Sequence, residues 1–491
     1  MAAQSIPLPP SNSGGKAPRW TQPVSFYGQS VFSKYYAHSI CAFLLLVPFL
    51  VMPVQAQATQ GTIGGQSCVT TYNATYDYFP DKIQVDDAVL FSVRYEKNYK
   101  VVTNSAVGVN QSYVLTQCGT PAPAASLFPN NTVFFNVPVA NTASLATTAV
   151  AYIEMLGKRS SIKAVDTEGL VTSPCVQYGL NHSEIVGLDD NNATVLAQQL
   201  STIDLIFSSY NVEPGTANKT VITSEVSDPG PLNRAEWLEF YSTFFNLEST
   251  AQNLTASINN NYNCFKTAAA AKTTKPVIAW STYNAPSSYN NNTASWSLSS
   301  AAYKMILSND AGGTFFNGTT ATTSTFATAA AFAAAVLNVD VLVDETDVGA
   351  DITAFYQNYN LTASSPQKFI QNKAILREDG LLNPNDGQDW FSGAVAMDDA
   401  VLQDLIRIVH PDALPSNVGY NWLRNIATNE PIQTLSSANC TNPDSFAAIP
   451  DRAIQCSTMK VGSSGSSSAG SKAVVGALTT VLALLTAAMA F

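Results

Sequence analysis

Several stretches of this chain put aromatic rings and carboxylates just past apolar runs, where a strand end would present them to a ligand. Trp280, Ser281 and Tyr283 follow the run Val277–Trp280. Rings there stack on a flat or chelated ligand, and the hydroxyls give it a polar edge. Trp296 and Tyr303 come next as further wall residues, Tyr303 on a helix pattern; ordinary packing serves these aromatics as well. Asp344, Glu345 and Asp347 close the run Val339–Val343. Three carboxylates there suit a cationic ligand or a hard cation, but their spacing matches no calcium loop, so a solvated strand end also accounts for them. Asn141, Thr142 and Ser144 begin a helix pattern in the first half, where such side chains cap the helix and its N-terminus favours anions. Arg377-Glu378-Asp379 and Asp389-Trp390 sit in loop-rich sequence that could fold over a cleft, though surface turn chemistry is the plainer account.

Other chemistry is poorly supplied. The chain has three histidines, of which His182 lies in a glycosylation sequon and His410 at a helix end. That is thin for direct transition-metal binding or a Ser-His-Asp triad. No Cys-x-x-Cys, Gly-x-Ser-x-Gly or phosphate loop occurs in a supporting context, and no facing carboxylate pair of the glycoside hydrolase kind is evident. Whether a cofactor is bound stays open on these residues. The reading is a binding protein, not an enzyme.

Positioning such residues needs an alternating scaffold, and the pattern supplies one. In 68–228, strands are expected at Ala88–Tyr95, Lys100–Val102, Tyr113–Leu115, Val133–Val137, Ile162–Val165 and Ile203–Phe207, with a helix over Thr142–Leu156 that stops at Gly157. In 229–272 no proline interrupts Leu232–Lys272, and apolar residues recur every three or four positions. The spacing predicts one long helix. In 273–455 the alternation resumes: strands at Val277–Trp280 and Val339–Val343, and helices over Ser299–Ser308, Thr323–Leu337, Asp351–Asn358, Gln367–Gln371 and Ala400–Val409. The expected fold class is α/β, two lobes with largely parallel sheets joined by one long helix.

The ends and the surface speak to location. Residues 1–56 carry Lys16, Arg19 and Lys34, then an apolar run Ile40–Val51 and the small-residue site Val54-Gln55-Ala56: a signal peptide with a long basic leader. Residues 457–472 are a Ser/Gly linker, and 473–491 an apolar tail. This is the pattern of a glycolipid (GPI) anchor signal, with attachment expected within Ser463–Ser467. Sequons begin at Asn73, Asn110, Asn130, Asn181, Asn192, Asn218, Asn253, Asn291, Asn317, Asn360 and Asn439. Glycans would wet a surface whose charged share is only 12%. Past the leader, 21 basic residues face 35 acidic ones, a net charge near −14 that argues against nucleic-acid binding. Six cysteines remain there, Cys68, Cys118, Cys175, Cys264, Cys440 and Cys456, enough for three disulfides in an oxidising compartment. Of the possible pairings, Cys440–Cys456 is the shortest closure.

Three features together resemble the helical-backbone class (class III) of periplasmic solute-binding proteins, which serve bacterial importers of siderophores, haem and cobalamin. Val137–Ala140, the helix ending Ile153-Glu154-Met155-Leu156-Gly157 and Ile162–Val165 look like the family's opening strand, helix and strand. The long helix of 229–272 is the second feature. Leu405–Asp412, with its His410-Pro411, is similar to the family's closing helix. The resemblance implies capture of a small organic ligand, a metal chelate among the candidates, in a cleft beyond the strand ends after Val139, Val165, Phe207, Ala279 and Val343. The protein would sit on the outer face of the plasma membrane or cell wall. The alternative is an adhesin or wall-structural glycoprotein on the same scaffold. As stated, the capture reading leans on an unbroken rod within Leu232–Lys272 bracing two separately folded halves.

Overall fold

The computed structural model describes residues 65–210, 212–318, 324–346, 348–441 and 452–456. The expected leader 1–56, the linker 457–472, the apolar tail 473–491 and Asp347 lie outside the described residues.

Among the described residues the strands form four sheets. The first holds β1 (Phe91–Tyr95), β2 (Tyr99–Asn104), β3 (Gln111–Gln117) and β4 (Val133–Val137) in that order, antiparallel except for β3–β4. The second is wholly parallel. It contains β5 (Thr142–Ser144), β6 (Ile162–Val165), β7 (Val186–Gly187), β8 (Leu205–Ser208) and β9 (Thr220–Ile222) in the order β7-β6-β5-β8-β9. Helices α1 (Thr147–Met155), α2 (Pro174–Asn181) and α3 (Ala193–Gln199) accompany it. Then come α4 (Pro231–Ala235), α5 (Trp237–Ser242) and α6 (Glu248–Ala270).

The third sheet is built on β10 (Val277–Asn284), with β11 (Ser295–Leu298), β12 (Thr314–Phe315), β13 (Thr325–Phe326), β14 (Val341–Asp344) and β15 (Ile375–Arg377). Beyond it β16 (Leu381–Leu382) pairs with β18 (Gln433–Thr434), while β17 (Arg424–Asn425) closes the third sheet beside β15. Its centre, β10-β14-β15, is parallel. Helices α7 (Ala302–Asp310), α8 (Ala329–Ala335), α9 (Ile352–Tyr359), α10 (Lys368–Gln371) and α11 (Asp398–Val409) complete this half. The fold class is α/β with mostly parallel sheets.

Period-two alternation explains how the layers stack. Along β10, Ile278 and Trp280 face a central core that also takes Val341, Val343 and Leu376, while Ala279, Leu342 and Ile375 face a satellite cluster with Phe332 and Phe355. In the second sheet Val165, Leu205 and Phe207 point into the same central core, and Ala164 and Ile206 point away from it. The two halves therefore share one interior rather than folding separately. This corrects the expectation of two independent lobes.

The rod is corrected too. The predicted helix over Leu232–Lys272 is broken into α4, α5 and α6; the longest piece, α6, has 23 residues and spans about 34 Å. The break falls at Asn246, which takes a left-handed backbone, φ 53°. Tertiary demand overrides the helical spacing here. Lys100 on β2 is fully buried, and it donates to Asn246 Oδ1 at 3.0 Å and pairs with Glu248. Asn246 also donates to Gln117 Oε1 at 2.8 Å.

Other expectations shift in register. The helix expected from Thr142 begins at Thr147, because Thr142–Ser144 are claimed by β5 between β6 and β8. It ends at Met155, and Gly157 follows in the left-handed region at φ 69°. The helix expected over Thr323–Leu337 shrinks to α8 because Thr325–Phe326 pair with β11. The disulfides are Cys68–Cys118, Cys175–Cys440 and Cys264–Cys456, so the local Cys440–Cys456 closure is wrong: each of those two cysteines reaches back to an earlier helix, α2 or α6. Of the sequon asparagines, ten are exposed and Asn73 is half-buried.

Replacing Lys100 by Met should destabilise the fold by about 3–5 kcal/mol, because Glu248 is left buried without its partner. The double variant Lys100→Met with Glu248→Leu should recover most of that loss. Urea unfolding of the three proteins checks both, and a neutral single variant would contradict this account of the helix break.

Candidate functional site

The carboxyl ends of β5, β6 and β8 open onto a cavity of about 450 Å³. From β5 the chain goes to β6 on one side, and β8 lies on the other, so these ends surround the point where the sheet's strand order reverses. Open α/β sheets leave a crevice at such points. Leu145–Thr148 line it after β5, Thr167 and Leu170 after β6, and Ser208–Tyr210 at the end of β8. The opposite wall comes from the other half: Tyr303 and Leu307 of α7, Trp390, Phe391 and Val395, and Asp398 at the start of α11. The mouth is apolar. Leu170, Tyr210 and Phe391 are 47%, 81% and 55% exposed, large side chains that a monomer ordinarily tucks away when it can.

The Trp390 wall is held by a carboxylate. Asp389, 5% exposed, accepts from Thr172 Oγ1 at 2.5 Å and from Trp422 Nε1 at 2.9 Å, so both halves grip it. Arg452 lies 3.5 Å from the same carboxylate. Trp422 is placed in turn by Asp404, whose carboxylate accepts backbone N–H groups of Asn421, Trp422 and Leu423 at 2.7–3.0 Å. A neighbouring cavity of similar size, lined by Glu154, Asp389 and Arg452, shares Thr147 with the first.

Two charged side chains line the main cavity among the described residues, Arg234 and Asp398. Arg234 donates through Nε to Asp228 O at 3.0 Å and through Nη2 to Val226 O at 2.7 Å; its guanidinium carbon lies 3.7 Å from the Tyr303 ring centroid. Burial holds the Asp398 carboxyl well above the usual carboxylate range, and the Arg234 charge only partly offsets this. Burial likewise pushes Glu154 up to about 7 and Glu239, with the Glu236 carboxylate nearby, up to about 8.

The residues singled out in the sequence scatter. Tyr303 lies on the cavity wall. Trp280 is fully buried behind that wall, its ring 5.9 Å from that of Trp390 and its Nε1 donating to Ser308. Ser281 and Asp344 belong to a buried network: the hydroxyls of Ser281 and Tyr359 lie 3.1 Å apart, Tyr359 donates to Asp344 at 2.9 Å, and Arg377 pairs with Asp344 at 2.5 Å. Asp344 is thus no solvated strand end. Glu345 pairs with Lys304, next to Tyr303. Tyr283 and Trp296 pack against each other at a tilt, ring centroids 5.4 Å and planes 37° apart; Trp296 is in the satellite cluster with its Nε1 on Asn358 O. Asn141 precedes β5, at the end of the sheet away from the cavity, and its N–H donates to Asp204. Thr142 is buried against Ser161, and Ser144 donates to Ala146 O just beneath the wall. The surface-turn reading of 377–379 and 389–390 is corrected. Arg377, Glu378, Asp379, Asp389 and Trp390 are all buried, with Asp379 in a two-pronged pair with Arg424.

Sequence reasoning missed Leu145–Thr148, Arg234, Phe391 and Asp398 as cavity residues, and placed Trp390 over the cleft only as the lesser of two readings. For the first group a signal existed, since the carboxyl-end rule needed only the correct bounds of β5. Arg234, Trp390 and Asp398 are brought in by long-range packing that no local pattern encodes.

No family model and no curated protein matches this chain. Solved structures similar to it include a periplasmic heme binding protein from Pseudomonas aeruginosa (15% identity, 59% of this chain and 98% of that one, TM-score 0.41). Others are a periplasmic binding protein from Veillonella parvula (10%, 63% and 98%, 0.43) and an ABC-type Fe3+-hydroxamate transport system protein from Saccharomonospora viridis (15%, 56% and 94%, 0.39).

Two outcomes follow from the site's electrostatics and support. Native Glu154 and Glu239 keep their protons to higher pH than the same groups in the unfolded chain. The native state therefore binds more protons from pH ~4.5 up to about 7 for Glu154 and about 8 for Glu239, and stability falls as pH rises through that window. Thermal melts should show a higher Tm near the low end, and Glu154→Gln should flatten the profile. Asp389→Ala should cost about 2–4 kcal/mol, because Trp422 Nε1 and Thr172 lose their acceptor. Near-UV circular dichroism of the tryptophans should change with it; an unaltered spectrum would count against Asp389 as the support of the wall.

Proposed function

We propose that this protein is a non-catalytic receptor that captures a small organic ligand, a metal chelate among the candidates, in the cavity at the ends of β5, β6 and β8. The observation that carries the reading is the cavity itself: about 450 Å³, within the usual range for small-molecule sites of roughly 300–1,000 Å³, at a strand-order reversal and rimmed by exposed apolar side chains. Its lining has one carboxyl residue among the described residues, Asp398, where glycoside hydrolysis needs two facing ones. The reading no longer leans on a rod between separate lobes. The sequence resemblance adds the choice of first ligands: haem, ferric siderophore chelates and cobalamin.

We further propose a GPI-anchored, N-glycosylated form on the outer face of the plasma membrane or cell wall. The exposure of ten sequon asparagines supports the glycans, as do three disulfides, which belong to an oxidising compartment. Glycosidase digestion and phospholipase C release from intact cells test these two parts separately.

Titrating the ectodomain with the three ligand types by calorimetry should give saturable binding for at least one. Tyr210→Ala and Phe391→Ala should each weaken it by about five- to tenfold, the loss of one aromatic contact, without lowering Tm. Binding that ignores both substitutions would place the ligand elsewhere, and no binding at all would remove the receptor claim and favour a structural glycoprotein.

A further inference from the structure

One wall of the cavity carries an unanswered acid. Asp398, 3% exposed, lines the cavity at the first residue of α11, and its Oδ2 has no hydrogen-bond partner. A buried polar atom left this way is costly unless a ligand partners it, and a ligand's positive charge there would also offset the burial that favours the carboxyl's neutral form. The nearby cation does not supply it. Two nitrogens of Arg234 are taken by the Asp228 and Val226 carbonyls, and its guanidinium face is stacked on Tyr303.

The surrounding groups are mostly carboxyls, with the pKa of Glu225 and Glu378 raised by burial. Asp399 lies beside Asp398 on α11 and accepts from Asn261 at 2.8 Å. Glu225 is fully buried beneath the Thr148 wall, accepts from Thr148, and has its Oε2 unpartnered. Glu378 is 4.0 Å from Lys304 of α7, which pairs with Glu345. The phenols of Tyr152, Tyr241 and Tyr303 complete the set and stay neutral, held up by burial. Asp398, Glu225 and Glu378 thus lie near a wall whose cations are Arg234, held by two carbonyls and a ring, and Lys304, paired with Glu345.

We infer that the cavity selects an organic cation: an apolar or aromatic body lying against Tyr210, Trp390 and Phe391, with a protonated amine donating to the Asp398 carboxyl. The inference rests on the capture reading and narrows its ligand class.

Three probes of one shape test it: 1-naphthylmethylamine, 1-naphthylmethanol and 1-naphthoate, titrated into the ectodomain at neutral pH by naphthalene fluorescence. The amine should bind the native protein at least about tenfold more tightly than the alcohol, as a charge-assisted hydrogen bond requires. Asp398→Asn should bring the amine to about the alcohol's affinity and leave the alcohol unchanged, which also shows that the cavity is intact. Equal binding of amine and alcohol by the native protein overturns the inference, as does tightest binding of the carboxylate; either leaves the capture reading standing. The native comparison decides this even if the variant does not fold. Failure of all three probes to bind overturns the inference; the capture reading falls only if haem, ferric chelates and cobalamin fail to bind as well.

Discussion

The cavity wall depends on one buried carboxylate. Asp389 is gripped from one side by Thr172, past the end of β6, and from the other by Trp422, which Asp404 on α11 fixes through three backbone N–H groups. Trp390 and Phe391 follow it immediately in the chain. Their aromatic faces are therefore placed by hydrogen bonds reaching into both halves of the molecule, not by the loop's own preferences. An acid beside an apolar cavity would be a liability if unpaired. Fully occupied, it fixes a loop that has no regular structure longer than a single turn.

The same logic runs through the centre of the molecule. Glu236 caps the N–H groups of Asp86, Asp87 and Ala88 leading into β1, and Lys100 draws Asn246 and Glu248 toward β2. Each polar anchor binds a connecting segment to the region of α4 to α6, where Trp237, Phe240, Tyr241, Phe244 and Phe245 fill the shared core. Continuous helix would have been the simpler solution for one strut between two bodies. A common interior instead requires the chain to turn where the anchors demand it.

That contrast explains what the sequence disclosed. The α/β class, the strands Val133–Val137 and Ile162–Val165 and the closing helix α11 were legible because alternation and helical spacing are local properties. The break at Asn246 was not. The run from Leu232 has sound helical spacing, and only the buried Lys100 on a distant strand shows why it stops. Sites failed for the same reason. Trp280 stands at a strand end in sequence, yet β10 runs on to Asn284; Asp344 does end β14 but lies buried between Ser281 of β10 and Arg377 of β15, and the cavity belongs to the second sheet. Asp389 and Trp390 look like turn residues until their partners Thr172 and Trp422, far away in the chain, are known.

The bonds Cys175–Cys440 and Cys264–Cys456 close spans of 265 and 192 residues across this architecture. Cross-links so distant in sequence, over an interior common to both halves, leave little room for a jaw that swings shut on its cargo. On the capture reading, entry and escape would fall to Leu170, Tyr210 and Phe391 rotating at the threshold, motions of nanoseconds rather than milliseconds. Residence time would be governed by contacts inside the chamber, and loading would follow a single exponential with no slow closing phase.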